Sequence, residues 1–424
     1  MKNNDTRSMR LAVIGAGSRG RAYSKYSEIP DSRLEIVSVA DPDREKLQKF
    51  SEMYNISKEL QFSSGVELLK ANPEVDTILI ATPDRTHVQL ATAFSEAGYH
   101  IILEKPIGID LKEVNTITNM VNTHEEQLFG ICHVLLYTPL TRTIKEILKA
   151  GSVGEIVSIQ HLEPIGYWHY MHSYVRGNWR REDTSSPLLL AKSCHDIDWI
   201  MHIMQEDVEY VSSFGSLNYF HKRSKPDNSS DRCIDCSLDG TCPYSANRFY
   251  RNQLKNGNFN WPLDVVISEF TEEALDYALR FGPYGMCVYN CDNSVVDNQV
   301  VNIQFKNCKT ASFSVTAFSE VDFRQTRIFC TKGMIETNGI DVKVFSFLNN
   351  NWETITVVSE GVTAADGHGG GDFGFMEAYI TAWQRNDYSE FNKRTLEGCS
   401  SHRIVFAAEE ARLKNCVTCI DDFL

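Results

Sequence analysis

Positive charge is scarce in this chain of 424 residues, where 42 lysine and arginine residues stand against 56 aspartate and glutamate residues and the formal net charge is −14. The chain also lacks a long basic run, which disfavours broad electrostatic attraction to nucleic acid or to an acidic membrane surface. It contains no internal repeat and no low-complexity tract. These absences favour a small-molecule partner, with no nucleic acid and no membrane involved.

Long apolar runs are missing as well. The N-terminus, M-K-N-N-D-T-R-S-M-R, is polar and runs directly into the first predicted strand without an apolar signal region. No stretch predicts a membrane-spanning helix. We therefore expect a cytoplasmic protein. Most of its 12 cysteines stand singly in apolar segments, which is typical of reduced core thiols rather than of a disulfide framework.

A glycine fingerprint follows the first predicted strand. The stretch Leu11 to Gly20 is L-A-V-I-G-A-G-S-R-G. At Gly15 the pattern predicts a tight turn, at Gly17 a close approach of backbone to pyrophosphate, and at Gly20 close packing of helix on strand. Amide groups at the start of the following helix would face the phosphates.

An acidic residue stands at the expected distance beyond the fingerprint. Asp41 ends the second predicted strand, about 20 residues past the last glycine, where such units hold the adenosine ribose hydroxyl. Its charge would repel a 2′-phosphate, which favours NAD, although nearby Arg44 leaves NADP open. The structural alternative is a solvated turn aspartate before Pro42.

Strands and helices alternate over residues 1–135 and predict a Rossmann domain, a doubly wound parallel sheet that binds ligand at the carboxyl ends of its strands. The remainder, 136–424, is predicted to be an α/β domain with an open, mainly antiparallel sheet for substrate binding and oligomerisation. Its C-terminal helices are free to pack back on the first domain.

Further motifs extend the pattern. The segment Ala81 to His87 is A-T-P-D-R-T-H, and the strand after it ends in E-K-P at Glu104 to Pro106. With G-A-G-S-R-G and A-D-P, these motifs resemble the Gfo/Idh/MocA family of sugar and polyol dehydrogenases over nearly the whole chain. The resemblance implies homo-oligomer contacts, a dimer or a tetramer, through the C-terminal sheet. It also implies that Lys105 reaches the reacting carbon and that the bond before Pro106 is often cis.

The expected catalytic residues are Lys105 and His195. A lysine at the carboxyl end of a central strand, beside a nicotinamide, would polarise a substrate hydroxyl or relay its proton; otherwise it is a surface lysine before a turn proline. The cofactor residues expected are Gly15, Gly17, Ser18, Arg19, Gly20, Asp41, Arg44, Thr82, Pro83, His87, Glu104 and Lys105.

The segment Leu188 to Trp199 predicts a helix with one unusual face. At helical spacing this face carries two imidazoles, an indole and a carboxylate: His195, Asp198, Trp199 and His202. His195 matches the family's catalytic histidine and has a pKa suited to proton transfer, although a helix-start histidine bonded to backbone is the alternative. The family's aspartate four residues earlier is Ala191 here. Its role passes to Lys192, Asp196 or Asp198, or is absent.

The stretch Tyr167 to Arg181 is dense in aromatic rings and hydrogen-bonding groups, which suits a pyranose ring. A packed loop or an oligomer contact is the alternative. The glycine-rich segment Ala365 to Asp372 is either a pocket rim or a linker. The candidate substrate contacts are Trp168, His169, Tyr174, Arg176, Trp179, Arg180, Lys192, Asp198 and His368.

A hydrophilic insertion, 221–247, contains three cysteines at C-x2-C-x5-C spacing. Such a polar loop has few apolar residues to order it, so a structural zinc ion is a candidate. The three thiolates are Cys233, Cys236 and Cys242. Cys287 and Cys291 are the remote candidates for a fourth ligand, with His221 behind them, and free loop thiols are the alternative.

Three functions remain open at this stage. The first is an NAD(P)-dependent dehydrogenase acting on a sugar or sugar derivative, in which His195 takes the hydroxyl proton. The second is a redox-neutral glycoside hydrolase or lyase that oxidises, eliminates and re-reduces, with His169, His172 and His368 as further acid or base groups. The third is a nucleotide-sensing or scaffold protein without catalysis.

Overall fold

The computed structural model describes residues 7–320, 323–357 and 368–423. Six parallel strands form the first sheet in the order β3-β2-β1-β4-β5-β6, the arrangement of a dinucleotide-binding Rossmann domain. The strands are β1 (Met9–Ile14), β2 (Leu34–Ala40), β3 (Gln61–Phe62), β4 (Thr77–Ile80), β5 (His100–Leu103) and β6 (Phe129–Ile131). The helices between them are α1 (Ser18–Ser24), α2 (Arg44–Met53), α3 (Gly65–Ala71), α4 (His87–Glu96) and α5 (Leu111–Thr123). The predicted fold class is confirmed.

Side-chain caps fix where several of these helices begin. The carboxylate of Asp43 accepts two backbone N–H groups at the start of α2, and Asp110 accepts the Glu113 N–H at the start of α5. At α3, Ser64 accepts the Glu67 N–H as the capping-box pattern predicts, while the Glu67 carboxylate accepts the N–H of Ser63. Each cap satisfies donors that the first helical turn leaves unpaired.

Nine strands form the second sheet, in the order β14-β13-β12-β11-β7-β10-β9-β8-β15. Only β7 and β10 pair in parallel; the other neighbours are antiparallel. The elements from the domain junction to β8 are α6 (Pro139–Lys149), β7 (Ile156–Pro164), α7 (Tyr167–Tyr170) with a π-helical turn at 171–176, α8 (Leu188–Met204) and β8 (Val208–Ser216). Those that follow are α9 (Ala246–Lys255), α10 (Glu272–Phe281), β9 (Asn298–Phe305), β10 (Thr310–Thr316), β11 (Gln325–Cys330), β12 (Gly333–Thr337), β13 (Asp341–Ser346), β14 (Asn351–Thr356), α11 (Gly371–Arg385), α12 (Ser389–Lys414) and β15 (Val417–Cys419).

The insertion is longer than predicted. It occupies the whole connection from the end of β8 to the start of β9 and includes α9 and α10. A separate small core of buried residues holds it together: Cys233, Ala246, Tyr250, Leu263, Ile267, Leu275 and Leu279. The polar composition of 221–247 marked its beginning, whereas the helices beyond resemble ordinary domain helices in sequence.

The C-terminal helices complete the first domain. Phe375, Tyr379 and Trp383 of α11 are fully buried in the core that covers one face of the Rossmann sheet. The Tyr379 hydroxyl lies 3.2 Å from the carbonyl oxygens of both Ile101 and Leu128. The C-terminal helix α11 therefore packs against the first domain. The predicted boundary at residue 135 divides the chain, but this core includes residues from both sides of the boundary. No helix in the described parts of the chain is both long and apolar enough to cross a membrane.

Candidate functional site

The turn between β1 and α1 has the geometry of a dinucleotide fingerprint. Gly15 has φ +100°, and a Cβ atom there would lie 2.4 Å from the carbonyl oxygen of Ala81. A Cβ at Gly20 would lie 2.0 Å from the Gly15 carbonyl oxygen, whereas the same position at Gly17 has no described atom within 4 Å. Gly15 and Gly20 therefore make the turn and the helix contact, and the open side of Gly17 fits an approaching pyrophosphate. Ser18 begins α1.

Asp41 lies at the carboxyl end of β2 and is buried. One carboxylate oxygen accepts the N–H of Ala16 at 2.8 Å and the other accepts the N–H of Asp43 at 2.8 Å. Asp41 thus ties the fingerprint turn to the start of α2, and each oxygen keeps a lone pair for a ribose hydroxyl. Arg44 is exposed at the first turn of α2.

Arg19 connects the first domain to the first turn of α11. Its Nε lies 2.6 Å from Glu104 Oε1, and Nη2 lies 2.8 Å from Asp372 Oδ1. The Tyr23 hydroxyl donates to the same Glu104 oxygen at 2.8 Å. Burial raises the pKa of Asp372, but Arg19 and His368 more than offset this and hold it well below its usual range. Arg19 is therefore an ion-paired residue at the edge of the cofactor cleft.

His87 is fully buried behind the two loops that follow β4 and β5. Its Nδ1 lies 2.7 Å from the carbonyl oxygen of Pro106, and Nε2 lies 2.8 Å from that of Thr82. The polar atoms of His87 therefore hold the loops in place, and cofactor contact by the loop residues Thr82 and Pro83 stays a prediction. The peptide bond between Lys105 and Pro106 is cis, as the resemblance implied.

Lys105 follows β5 and reaches across the cleft to α8. Its Nζ donates to the backbone carbonyl of Ala191 at 2.6 Å. This is the helix position at which a carboxylate was expected from the resemblance. A main-chain oxygen thus takes the place of a side-chain acceptor at this contact.

His195 is buried on α8, and its ring lies 5.5 Å from that of His368. Its Nε2 lies 2.7 Å from Nη2 of Arg324, which can only donate. Burial is the main cause that lowers the pKa of His195 well below 6.5, and the charges of Arg324 and Lys105 act in the same direction, against Asp196. The ring is therefore neutral, with Nε2 as acceptor and the proton on Nδ1.

A series of ion pairs with alternating charges, here called the charge ladder, supports this position of His195. Arg324 Nε lies 2.7 Å from Asp196 Oδ1 and 2.8 Å from Glu163 Oε2, and Lys192 Nζ lies 2.9 Å from the other Glu163 oxygen. His161 Nε2 lies 3.3 Å from Asp196. Burial raises the pKa of Asp196, but Arg324, His195 and His161 lower it well below its ordinary value. Asp196 and Lys192 thus lie at the site, connected through Arg324 and Glu163.

Asp198, in contrast, is buried and pairs with another histidine, so its predicted substrate contact stays a prediction that this pairing disfavours. Its Oδ2 lies 3.1 Å from Nδ1 of His133 in the buried junction between the domains. Burial lowers the pKa of His133, but Asp198 outweighs it and raises that pKa to about 10. Trp199 also turns inward, because its Nε1 donates to Thr141 Oγ1 at 2.8 Å. The mixed face of α8 therefore meets two environments. His195 lies on the side of the cleft, whereas Asp198 and Trp199 contact His133 and Thr141 in the interior.

The aromatic stretch divides in the same way. His169 and Tyr174 are buried near these charged groups. Burial is the main cause that lowers the pKa of His169, and Lys192 and Lys105 lower it further. Burial is also the main cause that raises the pKa of Tyr174, and Glu163 raises it further. The ring of Trp168 packs on the insertion, 5.2 Å from Phe249 and 5.3 Å from Trp261.

Trp179 and two arginines complete the stretch. Trp179 is 37% exposed, and its Nε1 lies 3.5 Å from Asp84 of the first domain. Arg180 pairs with Asp292 at 2.6 Å near the surface. Arg176 is fully buried in the insertion, with Nη2 3.5 Å from the sulfur of Cys233. Both arginine side chains thus contact the insertion side of the domain, and sugar contact by Arg180 and Arg176 stays a prediction that these contacts disfavour.

His368 lies beside His195 and donates toward Asp372, with 3.2 Å between its Nδ1 and the nearer carboxylate oxygen. Burial lowers the pKa of His368 in spite of that carboxylate. The preceding part of the glycine-rich segment, 365–367, lies outside the described residues. In the described part, His368 and Asp372 link Arg19 to His195, and the choice between a pocket rim and a linker stays a prediction.

Two cysteine-containing clusters are candidate metal sites. His133, Cys194 and His402 place their ligand atoms within 4.8 Å of one another. However, His402 donates from Nδ1 to the Gly398 carbonyl and accepts the Ile107 N–H at Nε2, so its lone pair is used. This cluster is a hydrogen-bonded core. Among the described residues, the thiols of the insertion form no such close group, and the zinc prediction stays a prediction.

Comparison with known proteins decides the family. The model described as "Oxidoreductase family, NAD-binding Rossmann fold" matches residues 9–132, and that described as "Oxidoreductase family, C-terminal alpha/beta domain" matches residues 145–361. The chain belongs to the Gfo/Idh/MocA oxidoreductase family. The resemblance stated from the motifs is thus confirmed.

Relatives in this family differ widely in what they act on. YteT of Bacillus subtilis (strain 168), named as an oxidoreductase, is 24% identical over 389 residues, 85% of this chain and 86% of its own. The 2,7-anhydro-N-acetylneuraminate hydratase of Escherichia coli (strain K12) is 24% identical over 62% of this chain and 66% of its own. The myo-inositol 2-dehydrogenase of Thermotoga maritima (strain ATCC 43589 / DSM 3109 / JCM 10099 / NBRC 100826 / MSB8) is 25% identical over 49% of this chain and 59% of its own.

Solved structures share the fold. Levoglucosan dehydrogenase in complex with NADH and levoglucosan superposes with a TM-score of 0.69 at 15% identity, covering 98% of this chain and 100% of the other. The scyllo-inositol dehydrogenase of Lactobacillus casei, with NAD(H) and scyllo-inositol bound, gives 0.66 at 16% identity with coverage of 98% and 100%.

Sequence reasoning missed two groups that define the site in this family member. Arg324 directly precedes β11, where nothing in the local sequence pattern indicates a functional residue. Glu163 was detectable: with Ile159 and His161 it occupies alternate, buried positions of β7. Charged or polar residues on the inward face of a strand call for buried partners.

Proposed function

We propose that the protein is an NAD-dependent oxidoreductase that transfers a hydride between the cofactor and a hydroxyl carbon of a sugar or sugar derivative. Lys105 and His195 lie on opposite walls of one cleft at the carboxyl ends of β4 and β5. Lys105 Nζ contacts the carbonyl of Ala191, which lies one helical turn before His195 on α8, and this observation carries the proposal. The names of the relatives support a carbohydrate substrate.

The cofactor would be held by the turn at Gly15 and Gly17, the start of α1, and Asp41. When bound, NAD⁺ supplies the hydride acceptor. The carboxylate of Asp41 favours NAD over NADP, because a 2′-phosphate would meet a buried negative charge. Exposed Arg44 is the group that would have to reach a 2′-phosphate if NADP is used.

Lys105 would donate a hydrogen bond to the substrate oxygen in place of the Ala191 carbonyl, stabilising negative charge on that oxygen. His195 would accept the hydroxyl proton at Nε2 after Arg324 withdraws from that atom. Arg324 keeps its bonds to Asp196 and Glu163, so the withdrawal is a shift of one Nη2 group. Asp196 Oδ2, 3.6 Å from Nε2, would then stabilise the imidazolium.

A second function, a redox-neutral glycoside hydrolase or lyase, is favoured by His368. This imidazole is paired with Asp372 and lies beside His195. It would offer a second acid or base, as a cycle of oxidation, elimination and re-reduction requires. The hydratase among the relatives is consistent with elimination chemistry on a related fold.

One set of assays separates the two functions. The purified protein is incubated with NAD or NADP and either free polyols and anhydro sugars or p-nitrophenyl glycosides, while reduced cofactor and p-nitrophenol are followed. Net formation of NADH from a free polyol supports the dehydrogenase. Release of p-nitrophenol that requires NAD without net NADH supports the redox-neutral cycle, and tight NAD binding without either product supports a sensing role instead.

We also propose that the chain assembles as a dimer or tetramer through the second sheet. Large apolar side chains are exposed along its outer strands: Phe347, Leu348, Trp352 and Ile355. Exposed apolar patches of this kind mark protein contacts. Light scattering on the purified protein gives the oligomer mass, and a monomer at micromolar concentration would contradict the proposal.

A further inference from the structure

Two separate segments of the insertion bring four cysteines to one cavity. Cys233, Cys236 and Cys242 come from the loop before α9, and Cys287 comes from the segment after α10. A β-bridge between Arg232 and Met286 joins the segments, and the Cys287 N–H donates to the carbonyl of Asp231 at 2.9 Å. All four cysteines line a cavity of about 220 Å³.

The other candidate ligands are placed elsewhere. The thiol of Cys291 donates to the Cys287 carbonyl at 3.3 Å and does not line this cavity. His221 lies 3.5 Å from the hydroxyl of Ser224 and does not line it either. Among the three alternatives for a fourth ligand, the structure therefore favours Cys287.

Arg176 supplies an independent observation. Its guanidinium is 1% exposed and donates to the carbonyl oxygens of Met286 and Tyr244 at 2.8 and 3.0 Å. Nη2 approaches the Cys233 sulfur at 3.5 Å, while buried Nη1 has no hydrogen-bond partner. Within the described chain, no carboxylate lies within 4.0 Å of its nitrogens.

A buried guanidinium without an anion is costly. Neutral thiols do not offset the positive charge of Arg176. Four thiolates on one divalent cation would leave a net charge of about −2 beside Arg176. A metal–thiolate centre would therefore supply both the missing anion and an acceptor for the unpaired N–H group of Nη1.

We infer that Cys233, Cys236, Cys242 and Cys287 bind one zinc ion and that Arg176 balances the charge of the tetrathiolate. No three of these sulfurs lie within 4.8 Å of one another in the described chain, whereas ligands at about 2.3 Å from zinc lie closer together. Zinc binding would therefore require cysteine side chains to change rotamer so that their sulfurs come closer together. Binding therefore draws the loop of Cys236 and Cys242 against the Cys287 segment.

Zinc binding in the insertion would also affect residues beside the cleft. Trp261 of the same insertion packs 4.8 Å from His169 and 5.5 Å from His172, measured between ring centroids. Ordering the insertion thus orders one wall of the aromatic stretch. The zinc ion is structural in this proposal, and its loss is expected to loosen that wall without removing Lys105 or His195.

Elemental analysis of the desalted protein, expressed in zinc-supplemented defined medium, tests the inference. We expect about one zinc ion per chain, released into a chromogenic chelator when a mercurial reagent modifies the thiols. Cys233→Ser and Cys287→Ser are each expected to retain less than about a tenth of the zinc. Cys308→Ser, which alters an exposed cysteine in the turn between β9 and β10, is the matched control and should retain all of it.

The wild-type protein decides the question even if the cysteine variants fail to fold. Wild-type zinc below about a tenth of an equivalent, with all four thiols reacting freely, would overturn the inference. An equivalent of iron with acid-labile sulfide would overturn the zinc assignment in favour of a cluster. Arg176→Met adds a second arm, since weaker zinc retention than in the control supports the charge-balancing role and unchanged retention contradicts it.

Discussion

Lys105 and Arg324 are the two cations whose positions control the acid–base groups of the cleft. Lys105 is held by a main-chain oxygen, which leaves its charge available to a substrate oxygen. Arg324 caps His195 and at the same time binds Asp196 and Glu163. Where the resemblance implied an aspartate, Lys105 thus contacts a main-chain oxygen of α8, and His195 contacts Arg324 from outside that helix.

Replacing Lys105 by alanine is expected to lower kcat by about 10²- to 10⁴-fold, because the substrate oxygen loses its charged donor. NAD affinity, measured by fluorescence titration, should change little. Lys112→Ala, on the exposed side of α5, is the control. A Lys105→Ala enzyme with wild-type turnover would remove this residue from the mechanism.

Replacing Arg324 by glutamine is expected to move the acidic limb of the pH profile of kcat/KM to higher pH. Arg324 contributes to the low pKa of His195, so its removal lets the ring protonate at higher pH and the base form is lost earlier on acidification. Arg324→Lys should restore part of the difference. Arg327→Gln, on the exposed face of β11, should leave the limb in place, and a wild-type limb in Arg324→Gln would contradict the arrangement.

Among the elements, α8 and α11 show most clearly how the second half of the chain serves the first. One end of α8 presents Ala191 and His195 to the cleft, and the next turn buries Asp198 against His133. Helix α11 lies against the Rossmann sheet with Phe375 and Tyr379 in its core. The sequence predicted both helices, but helical periodicity cannot show which neighbour each side of a helix meets.

Phe375→Ala in α11 is expected to lower the free energy of unfolding by about 3–5 kcal/mol, because it leaves a cavity in the core of the first domain. Urea unfolding followed by circular dichroism measures this. Phe373→Ala, two residues earlier on the same helix and 39% exposed, is the control and should cost less than about 1 kcal/mol. Equal effects would mean that α11 does not contribute to that core in solution.

At the scale of the whole molecule, buried neutral histidines dominate the response to acid. Burial is the main cause that lowers four pKa values: those of His100 and His202 to about 4, and those of His172 and His402 to about 3. Their stabilising contribution is complete above the unfolded value of 6.5 and is lost as the pH falls toward the folded values. His133 behaves oppositely, since its raised pKa contributes below 6.5 and is lost as the pH rises through about 10.

The urea midpoint is therefore expected to be lower at about pH 5 than at about pH 7. Between these values the histidines bind protons in the unfolded chain, whereas the same rings stay neutral in the folded chain. The buried carboxylates with lowered pKa values, such as Asp198 and Asp372, do not act in this window, because their unfolded pKa is 3.8. Unfolding series at the two pH values check this. Equal midpoints would show that these rings are accessible to protons in the folded state.

The sequence by itself determined features that depend on spacing along the chain. These are the glycine turn, the position of Asp41 after it, and the order of strands and helices in the first sheet. Spacing along one chain segment is enough for these, because a βαβ unit builds its own cleft. It also marked Lys105 and His195, each within a recognisable motif.

Only the tertiary structure decided which of the marked residues act together. Arg324 reaches His195 from the residue before β11, Glu163 of β7 pairs with Arg324, Asp198 contacts His133, and Arg176 is buried beside Cys233. Charges brought from separate elements into a region of low dielectric must pair with one another, and that pairing depends on packing rather than on spacing along the chain.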